Sequence, residues 1–229
     1  MIKALRVDCL ESLDTVCDNS VAPLITDPPY NIAKEKGFTT IGRPGVDGGA
    51  NNDNFEATLW INKAIPKVKK GRNIVVFWDM RQPITIINTV EELGCEFKDV
   101  IRLEKSNPLP RNRYRRFIFD TELALYFDKK GAKWTFNCLD EMPERPCIKT
   151  SFGPRRGQQS KGHRSQKPLN GMEWLLERLT NEEDILPNCF MHIGILGVGR
   201  KRLNRNCIGC ELSEEYFSMA QDRLINPTN

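Results

Sequence analysis

Val21-Ala22-Pro23-Leu24-Ile25-Thr26, running into Asp27-Pro28-Pro29-Tyr30, is the stretch on which the fold turns. The first six residues form a short apolar run and read as a buried strand. An acid, two prolines and an aromatic then fall at its carboxyl end, where open α/β sheets place their ligands. A given tetrapeptide turns up by chance in roughly one chain of this length in a thousand, so its chemistry carries information. The prolines stiffen the turn and remove two backbone donors. What remains is an acceptor-rich rim of one carboxylate and free carbonyls, with a ring beside it. Such a rim suits the exocyclic amino group of a planar base, whose two N–H donors need acceptors while its face needs a stacking partner. The alternative is an ordinary strand-ending turn with a solvated Asp and a packing Tyr.

The pattern on either side of this stretch alternates between strands and helices. Lys3–Val7 reads as a strand, and Asp8 opens a helix with Leu10, Leu13, Val16 and Cys17 on one face. Residues 31–53 hold five glycines and three asparagines, and so predict a long loop placed to cover the acid rim. Phe55–Ile65 reads as a helix with Leu59, Trp60 and Ala64 inward. Asn73–Trp78 reads as a strand. Gln82–Leu93 is a helix with Ile84, Ile87, Val90 and Leu93 at helical spacing, stopped by Gly94. Strands are expected at Phe97–Leu103 and Thr121–Phe127, joined by a basic loop through Pro108 and Pro110. Residues 128–165 show little periodicity. Order resumes with a helix starting at Pro168, with Met172, Leu175, Leu176 and Leu179 inward. Asp184–Met191 is a strand and Ile195–Leu203 a helix. Asn206–Leu212 is a strand, and Ser213 caps a last helix with Tyr216, Phe217, Ala220 and Leu224 inward. The alternation predicts an α/β fold: a mostly parallel central sheet with helices on both faces.

Length and composition set bounds on function. At 229 residues and 39% hydrophobic content, one α/β domain with a sizeable core is expected. No apolar run approaches the ~18 residues of a membrane span, and Met1–Arg6 lacks the apolar stretch of a signal peptide. A protein of the cell interior, with no membrane partner and eight free thiols, is therefore expected. Cys207-Ile208-Gly209-Cys210 has zinc-ribbon spacing but no second pair, so no metal is assigned. The net charge of +4 hides an asymmetry: residues 102–167 carry 16 Lys and Arg against 7 Asp and Glu, while the rest carries 18 against 23. A basic segment on an acidic body predicts a polyanion-binding face, with Arg111, Arg113, Arg115 and Arg116 as the phosphate contacts.

These residues together resemble the β-ordered group of DNA adenine-N6 methyltransferases of restriction–modification systems and phages, in which the catalytic motif precedes the cofactor motif. Asp27-Pro28-Pro29-Tyr30-Asn31 matches the catalytic motif. Lys105–Asn112 with Arg115-Arg116 resembles a stretch found in a subset of adenine enzymes. Gln166-Lys167-Pro168 matches the family's His-Pro-Thr-Gln-Lys-Pro element, and Ile208–Leu212 with Glu215-Tyr216-Phe217 matches the segment carrying the ribose-binding acid.

The resemblance implies a single Rossmann-like methyltransferase domain with a small irregular target-recognition lobe: a catalytic part over 1–105, a DNA-contact lobe over 106–165 and a cofactor part over 166–229. It implies methyl transfer from S-adenosylmethionine to adenine N6 of double-stranded DNA after base flipping. The implied catalytic residues are Asp27, Pro28, Pro29 and Tyr30. The implied cofactor residues are Asp8, Asp27, Gln166, Lys167, Pro168, Phe190, Gly194 and Glu211. It further implies a bacterial or phage-infected cytoplasm, a homodimer and a cognate restriction nuclease as expectations. The chain departs from the family in the cofactor loop, Asp-Pro-Phe-x-Gly-Ser-Gly-Thr. Here the aligned residues are Asn188-Cys189-Phe190-Met191-His192-Ile193-Gly194-Ile195, of which Phe190 and Gly194 fit. Two alternatives therefore stay open: a catalytically silent DNA-binding relative, and an N4-cytosine enzyme, in which a Ser more often replaces the leading acid.

Overall fold

The computed structural model describes residues 2–29, 56–78, 83–108, 114–115, 117–139, 141, 143–151, 167–182 and 184–226. Tyr30, Arg111, Arg113, Arg116, Gln166 and the loop expected over 31–53 lie outside them. In chain order the elements are β1 (Ile2–Leu5), α1 (Cys9–Asp14), β2 (Leu24–Thr26), α2 (Ala57–Lys67), β3 (Asn73–Phe77), α3 (Pro83–Glu92), β4 (Cys95–Lys105) and β5 (Thr121–Lys129). They continue with β6 (Cys147–Thr150), α4 (Leu169–Leu179), β7 (Ile185–Asn188), α5 (Ile195–Arg202), β8 (Asn206–Cys210) and α6 (Glu214–Ile225).

The strands form two ladders, β1-β8-β7 and β2-β3-β5-β4-β6. Strand β5 runs antiparallel to both of its neighbours, and every other pairing is parallel. The expected mostly parallel sheet is thus observed. Strands β2 and β7 lie side by side at the inner edges of the two ladders, but no ladder joins them among the described residues. Pro187 falls inside β7 and has no N–H to give to a neighbouring strand.

Period-2 alternation assigns the sheet's two faces. Leu24, Ile74, Val76, Leu125 and Phe127 pack with Leu13, Trp60, Ile61, Ile86 and Val90 of α1, α2 and α3. Ile25, Val75, Phe77 and Ala124 pack with Met172, Leu175 and Leu176 of α4 and Leu196 of α5. Both faces are therefore covered, which is why Ile74–Phe77 of β3 reads as an unbroken apolar run, buried throughout.

Several local expectations are corrected. Helix α1 ends at Asp14, so Val16 and Cys17 follow it, and Cys17 is exposed. In α2 the buried line is Trp60, Ile61, Ala64 and Ile65, and Leu59, on the opposite side, is 47% exposed. In α3 the buried pair is Ile86 and Val90, while Ile84 in the first turn is 68% exposed. Pro168 is the N-cap of α4 rather than its first residue. Strand β7 stops at Asn188, short of the expected Met191, and the chain then turns through positive φ at His192 and Gly194. Within the segment expected to be irregular, Cys147–Thr150 pairs with β4 as β6. Its half-buried pattern lacks a clean alternation and gave no strand signal.

Candidate active site

The acid rim forms where the two ladders meet. Asp27 follows β2, and the turn 189–194 follows β7. Contact between them shows that the carboxyl ends of these strands lie together, at the point where the chain's winding reverses direction. The Lys167 Nζ lies 3.0 Å from Asp27 Oδ1 and 2.9 Å from Oδ2. The carboxylate keeps 24% exposure while the lysine keeps 7%, so the acid is the more accessible member of the pair. Pro28 is buried and Pro29 half-buried.

Lys167 extends the arrangement toward the basic segment. Its Nζ is 3.8 Å from Glu122 Oε2 on β5, and Glu122 Oε1 accepts from Lys105 Nζ at 2.6 Å. Lys167 also lies 5.2 Å from the Phe77 ring centroid, and Lys105 4.7 Å from that of Phe119. A line of alternating charge therefore runs from Asp27 to the foot of the β4–β5 connection. Beyond that foot, Tyr114, Arg115, Phe117 and Ile118 are exposed, the Phe117 ring at 97%. Glu122 carried no signal in the sequence, because its role depends on β5 lying between β3 and β4.

On the other side of the rim stands the turn after β7. The Glu211 carboxylate, just past β8, accepts the His192 N–H at 2.7 Å through Oε2 and the Ser213 N–H at 2.9 Å through Oε1. The acid expected to meet a ribose thus also braces the turn. Asp8 follows β1, caps α1 by accepting the Leu10 N–H at 2.7 Å, and lies at the same sheet end as Glu211, whose N–H donates to Leu5 O. Phe190 is half-buried with its ring 5.4 Å from Trp60. Gly194 caps α5 at φ 80, and a Cβ there would meet Ala220 Cα and Cβ of α6 at 3.1 Å. Both the backbone and the neighbouring helix therefore require glycine at this position.

His192 adopts φ 47, a left-handed conformation uncommon for any residue but glycine. Its Nε2 lies 2.9 Å from the carbonyl oxygen of Asp27, so one side chain of the turn touches the acid rim itself. Arg200 of α5 is fully buried and reaches the same seam. It donates to Ile25 O of β2 at 3.3 Å, and to Leu186 O and Pro187 O of β7 at 3.2 Å each. Neither contact was legible in the sequence. Asn188, in place of the family's acid, is 2% exposed, and its Oδ1 has no partner among the described residues.

The structure thus brings Asp27, Pro28, Lys167, Pro168, His192 and Glu211 to one end of the sheet. Of the four arginines, Arg115 is described, and it is exposed. Beneath the seam, a separate cavity of about 80 Å³ lies between α1, α2 and strands β7 and β8, lined by Cys9, Leu13, Ala64, Cys189 and Cys210. Burial pushes all three of these thiols up, Cys189 to about 12. They are protonated at neutral pH and behave as small apolar side chains. No helix among the described residues is long and apolar enough to cross a membrane.

Known proteins are similar to this chain in sequence and fold. The chain is 28% identical over 244 residues to the type II methyltransferase M.HpaI of Haemophilus parainfluenzae, covering 97% of this chain and 74% of that protein. It is similar to the crystal structure of the M1.HpyAVI–SAM complex, with TM-score 0.77 and 33% identity over 98% of this chain and all of that one. The cytosine-N4-specific PvuII DNA methyltransferase shares the fold, with TM-score 0.74 and 17% identity over 100% of this chain and 88% of that one. The N6/N4 methyltransferase family model, described as DNA methylase, matches residues 21–222. This chain belongs to the N6/N4 DNA methylase family.

Proposed function

We propose that this chain transfers a methyl group from S-adenosylmethionine to adenine N6 in double-stranded DNA. The observation that carries the reading is the partly exposed Asp27 carboxylate, held by Lys167 at the carboxyl end of β2. A base reaches this corner only when it is extruded from the duplex. The carboxylate and the Pro28 carbonyl then accept the two N–H bonds of the amino group, which localises its lone pair for attack. Tyr30 stacks on the base. Catalysis on this scheme is positioning and electrostatics, with no covalent step on the protein.

The residues present fit the methyl donor. Each Glu211 oxygen takes one backbone N–H and keeps a lone pair for a hydroxyl. Asp8, Phe190, Gln166, Lys167, Pro168 and Gly194 would complete the surround. When bound, S-adenosylmethionine supplies an electrophilic methyl group. The leading acid of the motif supports adenine over cytosine. Within 106–165, β5 and β6 belong to the central sheet, and the remaining segments serve as the DNA-contact lobe between the catalytic part, 1–105, and the cofactor part, 166–229. Arg111, Arg113, Arg115 and Arg116 meet phosphates.

Two observations support a second reading, a catalytically silent DNA-binding relative. Asn188 replaces an acid, and His192 puts a ring in the cofactor turn. Calorimetric titration with S-adenosylmethionine, followed by labelled methyl transfer to duplex DNA, separates the two. Heat on titration and transfer abolished by Asp27→Ala are expected. No heat and no transfer, with DNA binding retained, selects the silent relative.

A further inference from the structure

A parallel sheet normally closes a gap such as the seam between β2 and β7 with backbone donors. Here Pro187 has none to offer, and no ladder joins the two strands among the described residues. The β2 side nonetheless has its acceptors met. Ile25 O accepts from Arg200, and Asp27 O accepts from His192. These carbonyls are two residues apart, the spacing at which an extended chain presents carbonyls to one edge. Side chains from the segment after β7 thus stand in for the missing backbone donors, one deep in the core and one at the rim.

His192 is held for that task. A carbonyl can only accept, so the hydrogen of this bond is on Nε2. The backbone at φ 47 aims the ring, and the Glu211 carboxylate holds the His192 N–H at 2.7 Å. Strained backbone of this kind persists where surrounding contacts over-determine it. We propose that His192 is a positioning residue that fixes the Asp27 backbone from the neighbouring turn, so that Glu211, His192 and Asp27 form one rigid unit. The ring does not touch the reacting atoms. It sets the angle at which Asp27 and Pro28 present their acceptors, and it couples that angle to the turn that Glu211 braces. The role in catalysis rests on reading Asp27 as the amino acceptor, whereas the positioning itself does not.

Full-length protein carrying His192→Gly or His192→Gln provides the test. Glycine relieves the φ strain and removes the donor; glutamine keeps an N–H at similar reach without an imidazole. Hydrogen exchange at the amides of Leu24–Asp27 is expected to quicken by about tenfold in His192→Gly, the equivalent of one hydrogen bond, and to return toward wild type in His192→Gln. The kcat for methyl transfer is expected to fall about tenfold to a hundredfold in His192→Gly, with S-adenosylmethionine affinity equal or higher, and to recover in part in His192→Gln. Unchanged exchange in His192→Gly overturns the positioning role. Unchanged or raised kcat assigns the ring to obstruction of the cofactor, and a fall in affinity matching the fall in kcat assigns it to cofactor binding. Either result overturns the proposal. If the wild type transfers no methyl group, the functional reading fails, and the exchange comparison alone decides the positioning role.

Discussion

At the residue scale the proposed chemistry rests on how one carboxylate is held. Asp27 has its side chain on Lys167 and its carbonyl on His192, so elements far apart in sequence converge on a single residue. Lys167→Met removes the ammonium behind the acid and frees the carboxylate to rotate. Methyl transfer is expected to fall about a hundredfold with DNA binding within a few-fold of wild type, as read by single-turnover kinetics beside fluorescence anisotropy. The cofactor turn makes a different prediction. Asn188→Asp with His192→Gly restores the family's residues at two positions and should raise S-adenosylmethionine affinity about tenfold, the scale of one charge-assisted hydrogen bond. Unchanged affinity in calorimetry would count against the assignment of that turn to the cofactor. The sequence exposed the acid rim because its residue types are rare together. It did not expose His192 as a donor to Asp27, since the two lie 165 residues apart and meet only where the turn after β7 lies against the end of β2.

At the element scale, strands were legible where they are buried on both faces, and helices where their apolar stripe is wide. Asn73–Phe77 and Ser213-capped α6 emerged close to their expected bounds. In α2 and α3 the expected inward residues Trp60, Ala64, Val90, Ile87 and, just past α3, Leu93 do pack on the core, while Leu59 and Ile84 point away from it. Ile84→Lys should change stability by no more than about 0.5 kcal/mol, whereas Ile86→Ala should cost about 2–4 kcal/mol. Urea unfolding of the two variants distinguishes the observed face from the expected one. Strand β6 was missed because its pairing with β4, rather than any alternation of its own, makes it a strand. The seam has its own test. Arg200→Met leaves the carbonyls of Ile25, Leu186 and Pro187 without this donor, and should cost roughly 2–4 kcal/mol, measured the same way.

At the scale of the whole molecule, an acidic body carries a basic segment, and the line Asp27–Lys167–Glu122–Lys105 joins the two. Phosphate contacts make DNA affinity fall steeply with salt, about tenfold or more between low and physiological ionic strength for several contacts. A flat response would contradict the DNA-contact lobe. The pH response follows from the buried acids of the core. Burial raises Cys95 to about 11, and Cys189 and Tyr126 to about 12. The unfolded chain releases these protons first, from about pH 8.5 for thiols and 10 for the phenol. Stability is therefore fully present below pH 8.5 and falls as pH rises toward the folded values. Lys129 opposes this in part, since burial lowers its pKa and deprotonation relieves that cost. Urea midpoints at pH 8 and pH 10.5, taken under reductant, should show the loss. The identity of the methylated base decides between the adenine and cytosine readings. Duplex DNA incubated with the protein and S-adenosylmethionine, digested to nucleosides and analysed by mass spectrometry, should contain N6-methyladenine that disappears with Asp27→Ala. N4-methylcytosine, or N6-methyladenine that survives Asp27→Ala, would contradict it.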